Sequence, residues 1–237
     1  MPTIAFTTLG CRVNQYDTDS MRGLFFADGF TETDFNGRAD VYVINTCSVT
    51  HMGEKKSRQI IRRAKKNNAD GLVIVTGCYA QLSPDALAAI PDVDAVIGTN
   101  ERKNIVPVVN RLLSERTNVA VQAVHDVMGR DAFEEIPLYP SAVEHTRADL
   151  KIQEGCNNFC SYCIIPYTRG SLKSRRPDAV IAEAGRLAEA GFKEIVLTGI
   201  HLGAYGLDLP ERPTLALILK RLIEETDIER IRMGSVE

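Results

Sequence analysis

The chain has 237 residues, of which 44% are apolar and 25% charged; this composition supports a buried core, excludes wholesale disorder and leaves room for two domains. A net charge of −3 excludes a strongly basic protein that coats nucleic acid, but it permits a local basic site. The sequence starts without the basic and apolar regions of a signal peptide, and no apolar run approaches the ~20 residues of a membrane helix. We therefore expect a cytoplasmic protein with no membrane partner.

The first half of the chain alternates short apolar runs with segments of helical periodicity. The apolar runs predict strands at 4–10, 41–46, 72–77 and 95–98, and the periodic segments predict helices at 14–29, 53–67 and 101–114. For the helix at 14–29, Asn14 is a candidate N-cap and Gly29 is a candidate end. Ser83 followed by Pro84 predicts the start of a further helix. This alternation is typical of βαβ units, so it predicts an α/β fold with an open parallel sheet covered by helices.

The pattern breaks between the two halves and then resumes. Residues 117–145 contain Pro137 and Pro140 and read as a strand or two plus a linker. Beyond them, strands are predicted at 149–155, 194–199 and 230–235, and helices at 178–190 and 214–225. We therefore expect one domain over 1–116, a linker over 117–146 and a second domain over 147–237. Because the chain stops at the last strand, its outer edge should be open, with Ile231 and Met233 partly exposed.

Six cysteines in a protein expected in the cytosol are core thiols, nucleophiles or metal ligands rather than disulfides. Three of them, Cys156, Cys160 and Cys163, form the run CNNFCSYC in the long loop after the strand at 149–155. A structural zinc site needs four ligands, and no further cysteine or histidine lies within the next 30 residues. A [4Fe–4S] cluster held by three thiolates keeps one iron open for a small molecule, and we favour this interpretation over zinc.

The other three cysteines are dispersed, but each follows one of the first three predicted strands. Cys11 lies in TTLGC, Cys47 in INTC and Cys78 in VTGC. Ligands of open α/β sheets bind at the carboxyl ends of the strands, so these thiols should converge on one edge. The alternative is that each is an ordinary small buried residue. Three cysteines at equivalent positions beside Thr and Gly favour a second cluster with an open iron.

The motifs around these cysteines resemble those of a known family. The run CNNFCSYC, with an aromatic residue before its third cysteine, resembles the cluster loop of radical S-adenosylmethionine (SAM) enzymes. IQEGCNNFCSYCIIPYTRG, together with TLGCRVNQYDT, INTCSVT and VTGCYAQ, resembles the methylthiotransferase family from end to end of the chain. TLGCRVNQYDT and LTGIHLGAYG are most similar to the branch that modifies N6-threonylcarbamoyladenosine in tRNA.

This resemblance implies a chemistry for each cysteine triad. Cys156, Cys160 and Cys163 would hold the cluster whose open iron chelates SAM, which is cleaved to a 5′-deoxyadenosyl radical. Cys11, Cys47 and Cys78 would hold an auxiliary [4Fe–4S] cluster that supplies or carries sulfur. The product would carry sulfur and a methyl group at C2 of the adenine, in the anticodon loop of tRNA. A reductant such as flavodoxin or ferredoxin and a sulfur donor are the further partners implied.

The family also implies a fold and further cofactor contacts. A methylthiotransferase domain over 1–116 would be followed, over 147–237, by the first part of a radical-SAM partial β/α barrel. Tyr162, Thr198, Gly199 and Ser235 would bind SAM. The family continues through the rest of the barrel into a TRAM domain that grips RNA, so the chain is expected to be C-terminally truncated.

Two sets of basic residues are candidate RNA contacts. The predicted helix at 53–67 carries seven positive charges, and either a solvated helix face or phosphate contact explains them. A second set follows the cluster loop and is expected to surround the mouth of the site. It comprises Arg169, Lys173, Arg175 and Arg176. Among the histidines, only His201, just after the strand-end TG motif, is a candidate for a role in the site.

Three other functions remain open from the sequence. One is methylthiolation of another adenosine in tRNA, and a second is methylthiolation of a ribosomal protein aspartate, whose enzymes share both cysteine triads. The third is a non-catalytic iron–sulfur or zinc protein.

Overall fold

The structure is a computed structural model that describes residues 1–48, 51–117, 119–129, 132–143, 146–234 and 236. Ser235, one of the four candidate SAM contacts, lies outside the described residues. None of the helices found in these ranges is both long and apolar enough to span a membrane.

The first half forms a six-stranded sheet in which every neighbouring pair of strands is parallel, as the sequence predicts. Its strands lie in the order β2-β1-β3-β4-β5-β6. They are β1 (Thr3–Thr8), β2 (Thr31–Glu32), β3 (Val41–Thr46), β4 (Leu72–Gly77), β5 (Ala95–Ile97) and β6 (Val121–Ala123). Strand β6 lies within the segment predicted as a linker and pairs with β5, so the sheet continues beyond residue 116.

Five helices cover this sheet, and the apolar periodicity of each one faces it. They are α1 (Arg12–Ala27), α2 (His51–Asn67), α3 (Cys78–Leu82), α4 (Pro84–Ala88) and α5 (Ile105–Ser114). On one face, Phe25 of α1 and Val109 of α5 pack into a core with Val43. On the other face, Ile61 of α2 packs with Tyr42. The sheet is therefore buried on both sides, which explains why β3 and β4 are continuous apolar runs.

One predicted helix start differs from the structure, and a second is confirmed in position. Helix α1 begins at Arg12, and Asn14 lies inside it rather than at its N-cap. Pro84 is the first residue of α4 as expected, but the Ser83 side chain makes no capping hydrogen bond. The prediction at Gly29 is confirmed, because this residue has φ +88° just past the end of α1.

The second half contains a three-stranded parallel sheet in the order β11-β10-β7 and a short antiparallel pair, β8 with β9. The strands are β7 (Ala148–Lys151), β8 (Gln153–Glu154), β9 (Lys173–Ser174), β10 (Glu194–Thr198) and β11 (Arg230–Met233). The helices are α6 (Ile165–Arg169), α7 (Pro177–Glu189) and α8 (Leu215–Glu225). Within the described residues β11 is an edge strand; Ile231 is half-buried and Met233 is 49% exposed, as predicted.

The two halves share a core rather than meeting as separate bodies. Tyr16, on α1 of the first half, belongs to the apolar cluster that α7 and β10 form in the second half. Its hydroxyl donates a hydrogen bond of 3.0 Å to Glu183 of α7. Burial, followed by the charge of Glu183, raises the pKa of Tyr16 well above its usual range. Helix α1 thus belongs to both halves and fixes how they pack.

Candidate functional site

The three dispersed cysteines follow β1, β3 and β4, which are neighbours in the sheet, and they lie at the carboxyl edge of those strands. Gly10, at φ +114°, turns the chain so that Cys11 starts α1. A Cβ on Gly10 would lie 3.2 Å from Cβ of Cys47, which shows how closely the first loop approaches the second. Cys11 is exposed and Cys78 is buried, so the edge runs from solvent into the protein.

Two asparagines hold this edge together. Nδ2 of Asn14 donates to the backbone oxygens of Leu9 and Thr46, at 2.7 and 3.0 Å. Nδ2 of Asn45 donates in turn to the backbone oxygen of Asn14, at 2.8 Å. The loops that carry Cys11 and Cys47 are therefore joined through side-chain amides. An asparagine in the first turn of a helix reads as a capping residue in the sequence, so this role was not predicted.

The compact triad lies in the loop between β8 and α6. Gly155, at φ +70°, precedes Cys156, and a Cβ there would lie 1.9 Å from the backbone oxygen of Ser171. The amide of Cys156 donates to the oxygen of Gly170 at 3.1 Å, and the amide of Cys163 donates to the oxygen of Cys160 at 2.9 Å. Cys160 is exposed and the other two thiols are partly exposed, so the loop offers all three to one open side of the protein.

The donor set of each triad fits an iron–sulfur cluster better than a single metal ion. Among the described residues, no three His, Cys, Asp or Glu side chains are grouped closely enough to hold one ion. Thiolates around one zinc, each bound at about 2.3 Å, would lie within roughly 4 Å of one another. A four-iron cluster binds each thiolate to a different iron, so its ligands stand farther apart. Three thiolates can bind three irons of a [4Fe–4S] cluster and leave the fourth iron open.

A single dipeptide, Arg169–Gly170, connects the two triads. Nε of Arg169 donates to Sγ of Cys78 at 3.4 Å, while the oxygen of Gly170 accepts from the amide of Cys156. Helix α6 ends at Arg169 and packs against α3, which begins at Cys78. Burial by itself would lower the pKa of Arg169, but the neighbouring thiol and carboxylates hold it well above its usual value. Arg169 is therefore a permanent cation beside Cys78.

Arg169 belongs to a buried group of charges at the junction of the two halves, which we call the junction network. Asp17 of α1 binds Lys151 at 2.5 Å and Arg169 at 3.2 Å, and it also pairs with Arg102. Glu154 binds the same three cations, with Lys151 at 3.0 Å. Burial raises the pKa of Glu154, but these cations outweigh that effect and keep its pKa well below the usual range. Glu134 and Lys173 complete the group.

The burial of the junction network corrects one prediction. Arg169, Lys173 and Arg175 do not surround the mouth of the site, because all three are at most 3% exposed. Arg175 is held by Glu183 at 2.9 Å and by Glu135 at 2.8 Å. Of the four basic residues after the cluster loop, only Arg176 is exposed. These cations stabilise the junction instead of offering contacts to RNA.

The candidate SAM contacts occupy different environments. Tyr162 is 90% exposed on the cluster loop, whereas Thr198 is buried at the end of β10. A Cβ on Gly199 would lie 2.9 Å from Oε1 of Gln153. The turn after β10, which contains Gly199, therefore packs closely against the Gln153 side chain. Nδ1 of His201 lies 3.9 Å from Sγ of Cys156, which places the histidine singled out in the sequence next to the compact triad.

Gln153 organises this part of the site and was missed in the sequence. Its Oε1 accepts hydrogen bonds from the amides of Ile200 and His201, at 2.8 and 2.7 Å. Its Nε2 donates to the oxygens of Glu154 and Gly155, at 2.9 and 2.7 Å. The fully buried side chain therefore joins the turn after β10 to the start of the cluster loop. The segment DLKIQEG mixes polar and apolar residues, so the sequence gives no signal that Gln153 is buried.

Two open cavities border the triads. One, of about 570 Å³, lies between the halves beside Cys11 and is lined mainly by polar groups, among them Arg12, Arg147 and Asp149. The other, of about 250 Å³, lies beside the compact triad and is lined by Asn157, His201 and neighbouring residues. Each triad therefore has space next to it for a small molecule.

Comparisons with known proteins match two regions of the chain to two different families. The model of the Uncharacterized protein family UPF0004 matches residues 3–98, and that of the Radical SAM superfamily matches residues 150–235. The Threonylcarbamoyladenosine tRNA methylthiotransferase MtaB of Bacillus subtilis is 48% identical over all 237 residues, and that of Aquifex aeolicus is 40% identical over 98% of the chain. The chain therefore carries a region that matches the Radical SAM superfamily, and along its whole length it is similar to tRNA methylthiotransferases. It covers 52% and 56% of these two relatives, so it spans about half of their length.

Two further comparisons extend this similarity to an enzyme with another tRNA substrate and to a solved structure. The tRNA-2-methylthio-N(6)-dimethylallyladenosine synthase of Clostridium botulinum is 34% identical over 95% of this chain. The chain covers 50% of the length of that enzyme. The radical S-adenosylmethionine methyltransferase TsrM of Kitasatospora setae, solved with tryptophan substrate and a SAM analog, superposes with a TM-score of 0.63. That match covers 97% of this chain and 53% of TsrM at 14% sequence identity, so it shows the fold alone. The predicted α/β fold class is confirmed.

Proposed function

We propose that this chain is part of a tRNA methylthiotransferase that places a methylthio group at C2 of N6-threonylcarbamoyladenosine in the anticodon loop. The observation that carries the proposal is 48% identity to an MtaB enzyme along the whole chain, against 34% to a dimethylallyladenosine synthase. Both cysteine triads fall inside the aligned region. The identity difference favours the threonylcarbamoyl substrate over the other modified adenosine.

In this proposal each triad holds one [4Fe–4S] cluster. Cys156, Cys160 and Cys163 hold the cluster that binds SAM, and Cys11, Cys47 and Cys78 hold the auxiliary cluster. When bound, these groups supply reductive cleavage of SAM, sulfur insertion and methyl transfer. Electrons come from an external reductant such as flavodoxin or ferredoxin, and sulfur comes from a separate donor. The reaction takes place in the cytosol.

The chain's own residues orient the two ligand sets. Gln153 holds the cluster loop and the turn that carries Thr198 and Gly199 in a fixed relation, so the compact triad and the proposed SAM contacts form one unit. Arg169 neutralises charge at Cys78 and is itself fixed by two carboxylates. Because these supports are buried, they set the geometry before any ligand binds.

The ligand assignment is tested on anaerobically purified protein. Replacing all three cysteines of the compact triad by Ala should remove about half of the iron and all reductive cleavage of SAM. The matched variant, with Ala at all three dispersed cysteines, should also lose about half of the iron but should still cleave SAM. If either variant kept its far-ultraviolet circular dichroism and lost all of its iron, the two sites would not be independent. Stoichiometric zinc in the wild type would refute the cluster assignment.

The substrate assignment is tested in cells. The full-length protein is deleted, and tRNA nucleosides are quantified by mass spectrometry. We expect the 2-methylthio derivative of N6-threonylcarbamoyladenosine to disappear and that of dimethylallyladenosine to remain. Loss of the second nucleoside instead would assign the protein to the other tRNA branch. If both remained and a ribosomal protein lost a methylthio group, the RNA substrate would be wrong.

A further inference from the structure

An exposed group of basic side chains lies on α2, far from the cluster loop in sequence. Lys55, Arg58, Gln59 and Arg62 line a shallow cavity of about 480 Å³ on the outer side of this helix. Lys56, Arg63 and Lys66 are exposed beside them. We call these seven residues the basic face of α2. The opposite side of the helix, with Ile61 and Ala64, is buried against the sheet, so the seven residues of the basic face lie on its solvent-exposed side.

Three of the cations on this face have no salt-bridge partner in the part of the chain that the structure describes. Among the described residues, no carboxylate lies within 4 Å of the charged groups of Lys55, Arg62 or Arg63. Lys65, on the inner side of the same helix, is instead paired with Asp94 at 3.0 Å. Basic residues three and four positions apart on a helix are neighbours and repel one another. An anion lying along the helix relieves that repulsion, whereas a merely soluble surface would mix both signs.

The spacing of the face fits a chain of phosphates better than a single anion. From Lys55 to Lys66 the helix rises about 16 Å at roughly 1.5 Å per residue. Phosphates along one nucleic-acid strand repeat about every 3.4 Å of helix axis, so the face spans several of them. Gln59, between the charges, adds an amide donor that phosphate oxygens accept.

The basic face of α2 also contacts the edge of the first sheet that carries the dispersed cysteines. Nε and Nη2 of Arg58 donate to the hydroxyl of Tyr79, at 3.0 and 2.8 Å. Tyr79 directly follows Cys78. Helix α2 itself begins four residues after Cys47. A backbone lying on the basic face would therefore pass next to the dispersed triad.

We propose that the basic face of α2 binds the phosphate backbone of the tRNA substrate. This inference rests on the proposed function and assigns the substrate to a surface outside both cysteine loops. The basic residues after the cluster loop are buried, so in this proposal the RNA contacts expected from them come from α2 instead. Exposed, unpaired cations contribute the salt-sensitive, sequence-independent part of RNA affinity.

The test compares two variants with the same loss of charge. In the first, Lys55, Arg62, Arg63 and Lys66 are each replaced by Gln; Arg58 is kept because it contacts Tyr79. In the control, four exposed basic residues elsewhere are each replaced by Gln, namely Arg38, Arg111, Lys193 and Lys220. Circular dichroism verifies that both variants are folded. Binding of an unmodified tRNA transcript to the purified chain is followed by fluorescence anisotropy from 50 to 250 mM KCl.

The slope of log affinity against log salt decides the outcome. Each lost phosphate contact reduces the slope by about 0.7–0.9, so the α2 variant should lose about 3 units and the control almost none. Between 0.1 and 0.2 M KCl, the wild type should then lose roughly eightfold more affinity than the α2 variant. Equal slopes for the wild type and a folded α2 variant would overturn the proposal. Tighter binding of poly-L-glutamate than of tRNA would assign the face to an acidic protein.

Failure of this inference is separable from failure of the proposed function. If the wild-type chain binds no tRNA even at 50 mM KCl, the basic face is not an RNA site. The cellular nucleoside assay judges the methylthiotransferase assignment independently of that result.

Discussion

Replacing Asp17 by Asn should strongly destabilise the protein, because it removes one of the carboxylates of the junction network. Asp17 is 2% exposed and contacts three cations, Arg102, Lys151 and Arg169. Asn keeps the shape of the side chain and removes its charge. The network then holds four buried cations, including Lys173, against the two carboxylates of Glu134 and Glu154.

The magnitude follows from the burial of these partners. Removing one member of a buried ion pair costs about 3–5 kcal/mol, because the remaining charge has neither water nor partner. Since a protein's free energy of unfolding is about 5–15 kcal/mol, this is a large share of the total. With an m-value of about 2–3 kcal/mol/M in urea, the unfolding midpoint should fall by about 1–2.5 M.

The assay is urea unfolding followed by circular dichroism, with Asp178→Asn as the matched control. Asp178 also pairs with an arginine, Arg221, at 2.8 Å, but its side chain is 79% exposed. Exposed pairs contribute little to stability, so the control midpoint should stay close to that of the wild type. If Asp17→Asn and Asp178→Asn moved the midpoint equally, the junction network would not stabilise the packing of the two halves.

Three further perturbations test other parts of the structure. Gly155→Ala should lower the unfolding midpoint, because its φ of +70° and a backbone oxygen at 1.9 Å leave no room for a Cβ; Gly185→Ala, with nothing within 4 Å, should leave it unchanged or raise it. In hydrogen exchange, amides of Leu72–Gly77 should be strongly protected and those of the edge strand Arg230–Met233 should exchange early; equal protection in a monomeric sample would refute the exposed edge. Because the pKa of Tyr16 is raised in the folded state, its contribution to stability is complete below about pH 10 and is lost as the pH rises further. A thermal melt series above pH 9 should therefore fall less steeply for Tyr16→Phe than for the wild type, and identical slopes would contradict the shift.

Local pattern predicts the strands of the first sheet well. The apolar runs predict β3 and β4 at the residues where the structure has them, because both strands are buried on two faces and begin with four apolar residues. Helix starts are predicted less well, as Asn14 shows. Its amide serves two neighbouring loops rather than its own helix, and nothing within a few residues of it reveals those partners.

The site also contains features that the local sequence predicts and features that it does not. The positions of the cysteines at strand ends follow from the alternation of strands and helices, so the shared edge could be predicted. The burial of Arg169 could not be predicted. A basic residue after a loop has the same local sequence whether its side chain is exposed to solvent or paired with a buried carboxylate. Its partners, Asp17 and Glu154, lie 152 and 15 residues away. Burial of charge depends on such distant pairings, and a short window of sequence does not contain them.

The junction network restricts how this protein can be recombined. Asp17 and Arg102 come from the first half, and Lys151, Glu154 and Arg169 come from the second, yet they neutralise one another. A chimaera that joins the first half to the second half of another protein would keep the fold of each part. It would nevertheless bury charged side chains without partners at the junction of the two halves. Successful domain exchange would have to transplant these five residues together, so the two halves are expected to diverge as a matched pair.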